Sequence, residues 1–425
     1  MRTSVRSCGF ALVVVLALSA CGSDGSNASG SSPTSTVAET TAAPVVSNAS
    51  GSSPTSAVAE TTTAPALTGE PIVLTVISER TGPAAALQMG DGAVAAAQEI
   101  NAAGGIGGRP IEVKLCDTQD DPNQAVSCAG DAADGSTMAL VATQTVHEAG
   151  VLPITDAAGL ANVGSFPITP AGYGSPNSFP LSGGGPFSLI GSIKAMQRGG
   201  AHITSLVVPD YGAAADALVG LLRNILGDAV GPTVKVPALT PDLTPYVAAA
   251  TDGADAVVGS MADEDLIRFV RTFRESGSDI PLGLLNMDPE RIAKELGNDG
   301  EGAIVTTFYK PVALKDDPDV KRFVAAMEAA KVQIRSSAEL GYASVYLFVE
   351  AANRVLAGGG TLDRASILQM LGTITDFDIG LFAPVDFTSP QTMIPGLRLF
   401  NTSVFGSVFK GGEVVTDPTF FDVTS

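Results

Sequence analysis

From residue 72 onward, short apolar runs of strand character alternate with amphipathic helical stretches, and this alternation limits the fold more than any other feature of the chain. The runs fall at residues 72–77, 111–115, 138–141, 203–208, 233–236, 256–258, 282–285 and 303–307. Between several of them lie helices with one apolar face, such as Leu266, Phe269, Val270 and Phe273 ahead of Gly277, and later Val345, Phe348, Ala352 and Val355. Strands separated by helices pair in parallel, with helices covering both faces of the sheet. The alternation runs for roughly 355 residues, beyond the ~250–300 at which a single core stops growing, so two lobes are expected.

In open parallel sheets ligands bind beyond the carboxyl ends of the strands. The loops there are short and polar: Ser78-Glu79-Arg80-Thr81-Gly82, Thr143-Gln144-Thr145, Gly164-Ser165, Asp210-Tyr211-Gly212, Ser260-Met261-Ala262-Asp263 and Asn286-Met287-Asp288. Their hydroxyls, amides and helix-start N–H groups suit a small polar ligand, and each residue suits helix capping equally well. Catalytic and metal-binding patterns are missing. The chain has only His147 and His202, with no H-x-x-x-H, C-x-x-C or G-x-S-x-G, so no enzyme, cofactor or metal site is expected. His147, in a helical stretch, and His202, ahead of a strand, read as structural. Asp117, Asp120 and Asp121 lack the spacing of the helix-loop-helix calcium motif and read as a solvated turn and helix start, with cation chelation as the alternative.

The stretch INAAGGIGGRPIEVKLCD, residues 100–117, raises the question of phosphate binding. Glycine loops that cradle phosphate follow a strand and open a helix, whose N-terminus supplies free N–H groups. Here the order is reversed. Met89, Ala93, Ala96, Ala97, Ile100 and Ala103 mark a buried helix face, Gly104 fits a left-handed cap, and Ile111, Val113 and Leu115 alternate as a strand. The glycines link a helix to a strand.

The N-terminus carries Arg2 and Arg6 and then an apolar run at residues 10–18, too short for the ~20 residues of a membrane span, and reads as a secretion signal. Its end, Leu18-Ser19-Ala20-Cys21, resembles the lipobox of bacterial lipoproteins, in which Cys21 would become the acylated N-terminus. An ordinary signal peptide with an incidental cysteine is the alternative. Next, SNASGSSPTSTVAETTAAP at 26–44 recurs as SNASGSSPTSAVAETTTAP at 47–65, a tandem duplication without apolar period that reads as a disordered tether. About 45 such residues span roughly 35–40 Å. The net charge of −20, made more negative by loss of Arg2 and Arg6, argues against nucleic acid or anionic lipid as partners. Cys116 and Cys128 are the thiols of the folded region, and outside the cytoplasm a disulfide between them is expected, with two free buried thiols as the alternative.

These pieces together resemble the type I periplasmic binding proteins, in particular the branched-chain amino-acid-binding subunits of ABC importers. INAAGGIGGRPIEVKL followed by CDTQDDPNQAVSCA is similar to the family's N-x-x-GGI-x-G-x-x-I/V strand and D-x-x-x-D-P-x-x-A helix start. Likeness continues through AGLANVGSFPITPAGYGSPNSFPLSGG, VVPDYG and SSAELGYASVYLFVEAANR. The resemblance implies an α/β fold of two Rossmann-like lobes with parallel sheets, joined by a three-strand hinge, with ligand in the cleft. Crossings are expected near Leu181, Phe308 and Phe382, within about ten residues. Residues 1–20 would be the lipoprotein signal and 21–69 the tether. Residues 70–182 plus 309–381 would form lobe one, and 183–308 plus 382–425 lobe two.

The resemblance further implies that Thr143, Thr145 and Ser165 hold a ligand carboxylate and that Tyr211 covers the ligand side chain. Ser78, Gln144, Met261, Asn286 and Asp288 join them as candidate ligand-binding residues from the loops above. The sequence departs from the family at Leu285, where a carboxylate for the ligand ammonium is expected. An ammonium buried without a countercharge is strongly unfavourable. Either Asp288 takes over, or the ligand has no α-ammonium, and amino acids lead over amides, short acids and aromatic acids. The expected protein is a monomeric, non-catalytic solute-binding subunit. It would be lipid-anchored on the outer face of the cytoplasmic membrane and would hand a small solute to a permease. A surface receptor or regulator of the same fold is the alternative. If Cys21 carries the anchor, Cys21→Ser releases the protein from membranes in a fractionation experiment.

Overall fold

In a computed structural model, which describes residues 67–81, 88–210, 212–237 and 239–424, the glycine-rich stretch is a helix stop. Helix α1 (Met89–Ala102) ends where Gly104 N donates to Asn101 O and Gly105 N to Ile100 O, with both glycines at positive φ. This paired closure satisfies carbonyls the helix leaves open. A Cβ on Gly105 would lie 2.1 Å from Arg109 O, so the turn needs glycine there. Asn101 then grips the next strand through hydrogen bonds with both the N–H and the carbonyl of Ile111.

Lobe one contains β1 (Ile72–Ser78), α1, β2 (Ile111–Asp117), α2 (Pro122–Asp134), β3 (Thr137–Val141), α3 (Glu148–Ala157), β4 (Asn162–Val163), α4 (Pro170–Gly174) and β5 (Ser178–Phe179). Its sheet has the order β2-β1-β3-β4-β5, parallel throughout. Lobe two begins with α5 (Gly184–Arg198), β6 (Thr204–Pro209), α6 (Ala213–Leu226), β7 (Val230–Val236) and α7 (Thr244–Thr251). It continues through β8 (Ala256–Gly259), α8 (Asp263–Glu275), β9 (Leu282–Leu285), α9 (Pro289–Leu296) and β10 (Ile304–Thr307). The chain then returns to lobe one for α10 (Pro318–Ala330), α11 (Ala338–Ala357) and α12 (Arg364–Leu371), and ends in lobe two with β11 (Ser403–Lys410) and β12 (Glu413–Asp422).

The second sheet, β12-β11-β10-β9-β8-β6-β7, departs from the all-parallel expectation: β11 runs antiparallel to β10, and β12 antiparallel to β11. The physical reason is Gly411-Gly412, both at positive φ, which allow a two-residue turn that joins antiparallel neighbours. A second correction concerns the last crossing. Residues 382–400, expected in lobe two, stay against lobe one. Val385 pairs with Phe377, the Phe387 ring stands edge-on to Phe179, and Arg398 donates to the carbonyls of Tyr173 and Ser178. This segment covers β5, the open edge of the sheet, where uncovered backbone groups would be a liability. The chain leaves lobe one only at Asn401, whose side chain donates to Leu181 O beside the first crossing.

Local signals set the remaining elements. Asp121 caps α2 by accepting from the N–H groups of Asn123 and Gln124, and Pro122 sits at its first position. The Cys116–Cys128 disulfide ties the end of β2 to α2. Arg364, at the start of α12, donates to the carbonyls of Ala132, Ala133, Gly135, Thr137 and Ala158, gathering the ends of α2 and α3 and the start of β3. His147 precedes α3 instead of lying inside a helix.

Glu148, the first residue of α3, is buried and accepts from Ile168 N, Thr169 N and Thr169 Oγ1. Burial pushes its carboxyl from 4.5 up to about 7, against the pull of those donors. The folded protein therefore keeps a proton that the unfolded chain releases. The stability this adds is complete below about pH 4.5 and lost as pH rises through 7. Glu148→Gln should flatten denaturant-derived stability between pH 4.5 and 8 by roughly 3 kcal/mol.

Candidate functional site

Each sheet has one place where strand order reverses, between β1 and β3 in lobe one and between β6 and β8 in lobe two. Crevices for ligands open beyond the carboxyl ends of strands at such points. The loops that follow β1, β3, β4, β8 and β9 hold most of the residues singled out in the sequence.

A cavity of about 220 Å³ lies at these loops. Its apolar wall is Phe166 from the loop after β4, with Met261, Leu285 and Met287 from lobe two. Ser188 on the first turns of α5, Ser260, Asn286, Asp263 and Asp288 supply polar groups. Of the expected residues, Met261, Asn286 and Asp288 line it. Ser78, Thr143, Gln144 and Thr145 instead gather at the lobe-one reversal, where Ser78 bridges to Gln144 and Gln144 N donates to Ile77 O. There the Ser78 and Thr143 hydroxyls and Gln144 Oε1 are buried with no hydrogen-bond partner in the protein. Buried polar atoms are seldom left so.

Thr145 and Ser165, expected at a ligand carboxylate, have partners within the protein. Thr145 Oγ1 donates to Glu79 Oε1 at 2.6 Å and accepts from His147 N. Ser165 Oγ pairs with Ser178 Oγ at 2.7 Å, linking the ends of β4 and β5. Tyr211 lies outside the described residues. Phe166, Ser188 and Met287 were missed. Phe166 and Met287 each adjoin a named residue, whereas Ser188 carried no sequence signal because it sits inside a helix.

The carboxylates at the cavity are already engaged. Asp263 takes Arg291 Nη1 at 2.5 Å and Asn286 Nδ2 at 2.8 Å. Asp288, at the start of α9 in lobe two, accepts from the N–H and hydroxyl of Ser337, both at 2.9 Å, with Arg335 Nη1 at 3.6 Å. Ser337 precedes α11 of lobe one, so this contact crosses between lobes. Beside it Glu290 accepts from Ser336 Oγ and Ala313 N. Burial raises the carboxyls of Asp288 and Glu290 above the usual range. Glu339, fully buried and without a hydrogen-bond partner, is raised well above it by burial and then by Glu290.

Two lobes, one on a parallel sheet and one on a sheet that is parallel except at the β11–β12 edge, with a hinge and a small cavity at the strand-end loops, define a two-lobed solute-binding protein. The sequence matches the family described as periplasmic binding protein over residues 71–400, and the chain belongs to that family. It is a family of solute-binding proteins. No curated protein sequence matches the chain.

Several solved structures share the fold. A leucine-binding protein of Thermotoga maritima is 19% identical, with a TM-score of 0.65, and the match covers 83% of this chain and 99% of that one. A fatty acid ABC transporter substrate-binding protein of Thermomonospora curvata is 21% identical, with a TM-score of 0.69 and coverage of 84% and 94%. A solute-binding protein of R. palustris, in complex with 4-hydroxybenzoate, is 19% identical, with a TM-score of 0.66 and coverage of 83% and 97%. Among the described residues, no helix is long and apolar enough to cross a membrane.

Ser337→Ala should remove one donor and leave an oxygen of the buried Asp288 short of a partner. A loss of about 1–3 kcal/mol in urea unfolding is expected, and Ser337→Thr should restore most of it.

Proposed function

We propose that this protein is the lipid-anchored, extracytoplasmic binding subunit of an ABC importer, and that its ligand is a small carboxylic acid or amide with an apolar body and no α-ammonium group. The observation that carries the ligand class is the state of the acids at the cavity. Asp263 is held by Arg291, which it shares with Glu264 and Glu295, and also takes Asn286, while Asp288 is engaged by Ser337 and has Arg335 nearby. With Leu285 at the position where the family resemblance expects a carboxylate, a ligand ammonium would meet an apolar side chain. A buried cation without a countercharge is unfavourable by several kcal/mol.

The volume supports a compact ligand, since it falls below the ~300–1,000 Å³ of sites for drug-sized molecules. Phe166, Met261, Leu285 and Met287 favour an aliphatic or aromatic body, and Ser188, Ser260 and Asn286 offer hydrogen bonds to an acid or amide. Relatives described as binding a fatty acid or 4-hydroxybenzoate are consistent with ligands of this kind. The Leu-Ser-Ala-Cys motif at Cys21 and the duplicated tether support a monomer held close to the membrane, within reach of a permease.

A thermal-shift panel tests the ligand class, because a molecule that binds only the native state raises the unfolding midpoint. Leucine should leave the midpoint unchanged, while its 2-oxo acid counterpart, benzoate or a short branched amide raises it. A rise with leucine and none with the oxo acid would overturn the reading. Met261→Ala should weaken binding of the responding compound roughly tenfold, about 1.4 kcal/mol, by isothermal titration.

A further inference from the structure

We propose that Glu79, Asp120 and His147 form a site for a divalent transition-metal ion, zinc being the best fit, at the carboxyl edge of the lobe-one sheet. The three residues follow three different strands: Glu79 comes directly after β1, Asp120 lies in the loop between β2 and α2, and His147 ends the loop between β3 and α3. One potential ligand atom from each lies within 4.8 Å of the others. His147 Nε2 is 3.5 Å from Asp120 Oδ1. That separation matches the edge of a tetrahedron whose centre lies about 2.0–2.2 Å from nitrogen and oxygen ligands.

The imidazole supplies the second observation. His147 Nε2 is out of contact with solvent and makes no hydrogen bond within the protein, although a carboxylate stands beside it. A ring nitrogen shut off from solvent, 3.5 Å from a carboxylate and without a hydrogen bond, is what a missing common partner would leave. Water can fill that role as well, and the choice falls to an ion because both flanking groups are carboxylates. One imidazole with two carboxylates is a donor set that suits zinc and its first-row neighbours.

The protein also holds the ligands in place. Thr145 Oγ1 and Val146 N both donate to Glu79 Oε1, at 2.6 and 3.1 Å, which orients that carboxylate. Asp117 does not compete for the ion. It takes the N–H groups of Arg80, Thr81 and Gln119 and the Thr81 hydroxyl. Burial is the largest single influence on its carboxyl and pushes it up, but these bonds together outweigh it, hold the group at about 2 and pin the loop that carries Asp120. Asp121 is committed to the cap of α2. Of the three aspartates in the turn, Asp120 is therefore the one left to face His147. The sequence conceals the group because no two of its members share a strand or a helix.

Titration of zinc into the full chain, freed of any polyhistidine tag and treated with a chelator, tests the site. Binding of one ion per chain is expected by calorimetry, with cobalt giving the intense visible bands of a tetrahedral complex. His147→Ala and Asp120→Asn should each weaken zinc binding about tenfold or more and abolish the cobalt bands. His202→Ala, at the chain's other histidine, should change neither. Absence of zinc binding to the parent chain would overturn the site, as would equal affinity in a His147→Ala or Asp120→Asn protein that retains the parent circular dichroism spectrum.

Discussion

Lobe one depends on the close approach of two helices that lie far apart in sequence. A Cβ on Gly92 of α1 would sit 1.9 Å from Ala338 O, and one on Gly341 of α11 would sit 1.7 Å from Met89 O. Only glycine at both positions lets the backbones touch, and the Tyr342 hydroxyl donates to Glu99 a little further along. The lobe is thus complete only after the chain has built most of lobe two and returned. The same contact brings the start of α11, with Ser336 and Ser337, to where Asp288 and Glu290 arrive from the other lobe. Helix packing inside one lobe in this way sets the geometry of the contact between the two.

The acids near that contact give the cleft its character. The chain is strongly acidic, and the two carboxylates that line the cavity are both engaged by groups of the protein. Asp263 is held by Arg291, and Asp288 caps the chain ahead of α11. Burial, and then the neighbouring Glu290, push the Glu339 carboxyl well above the usual range. The cavity wall there is thioether and aromatic surface with serine, asparagine and the engaged Asp263 and Asp288. The selectivity of such a site lies in which charges a solute lacks as much as in which groups it carries.

Part of the site was legible from loop positions. The loops after β8 and β9 pointed to Met261, Asn286 and Asp288 because strand ends in parallel sheets open toward the cleft. What those loops could not reveal was allegiance. Asp288 looked like a countercharge for an ammonium, but it bonds Ser337, which lies 49 residues on and beyond the second strand crossing, and a hydrogen bond of that range has no local signature. Thr145 and Ser165 were similarly claimed by Glu79 and Ser178. His147 read as structural, and the two acids that stand beside it, Glu79 and Asp120, come from other loops.

By itself the sequence determined the class of fold. Strand-length apolar runs separated by helical faces leave parallel pairing as the way to bury both, and the glycines at 104 and 105 end α1 through local hydrogen bonds alone. The two-residue strands β4 and β5 were too short to show a period, and the β11–β12 hairpin was passed over although Gly411-Gly412 marked its turn. The third crossing and the partners of the buried acids Glu79, Glu148, Asp288 and Glu290 were decided only by tertiary structure. The physical reason is that periodicity and turn chemistry act over a few residues. Which edge a segment covers, and which donor a carboxylate finds, depend on surfaces that exist only once both lobes have formed.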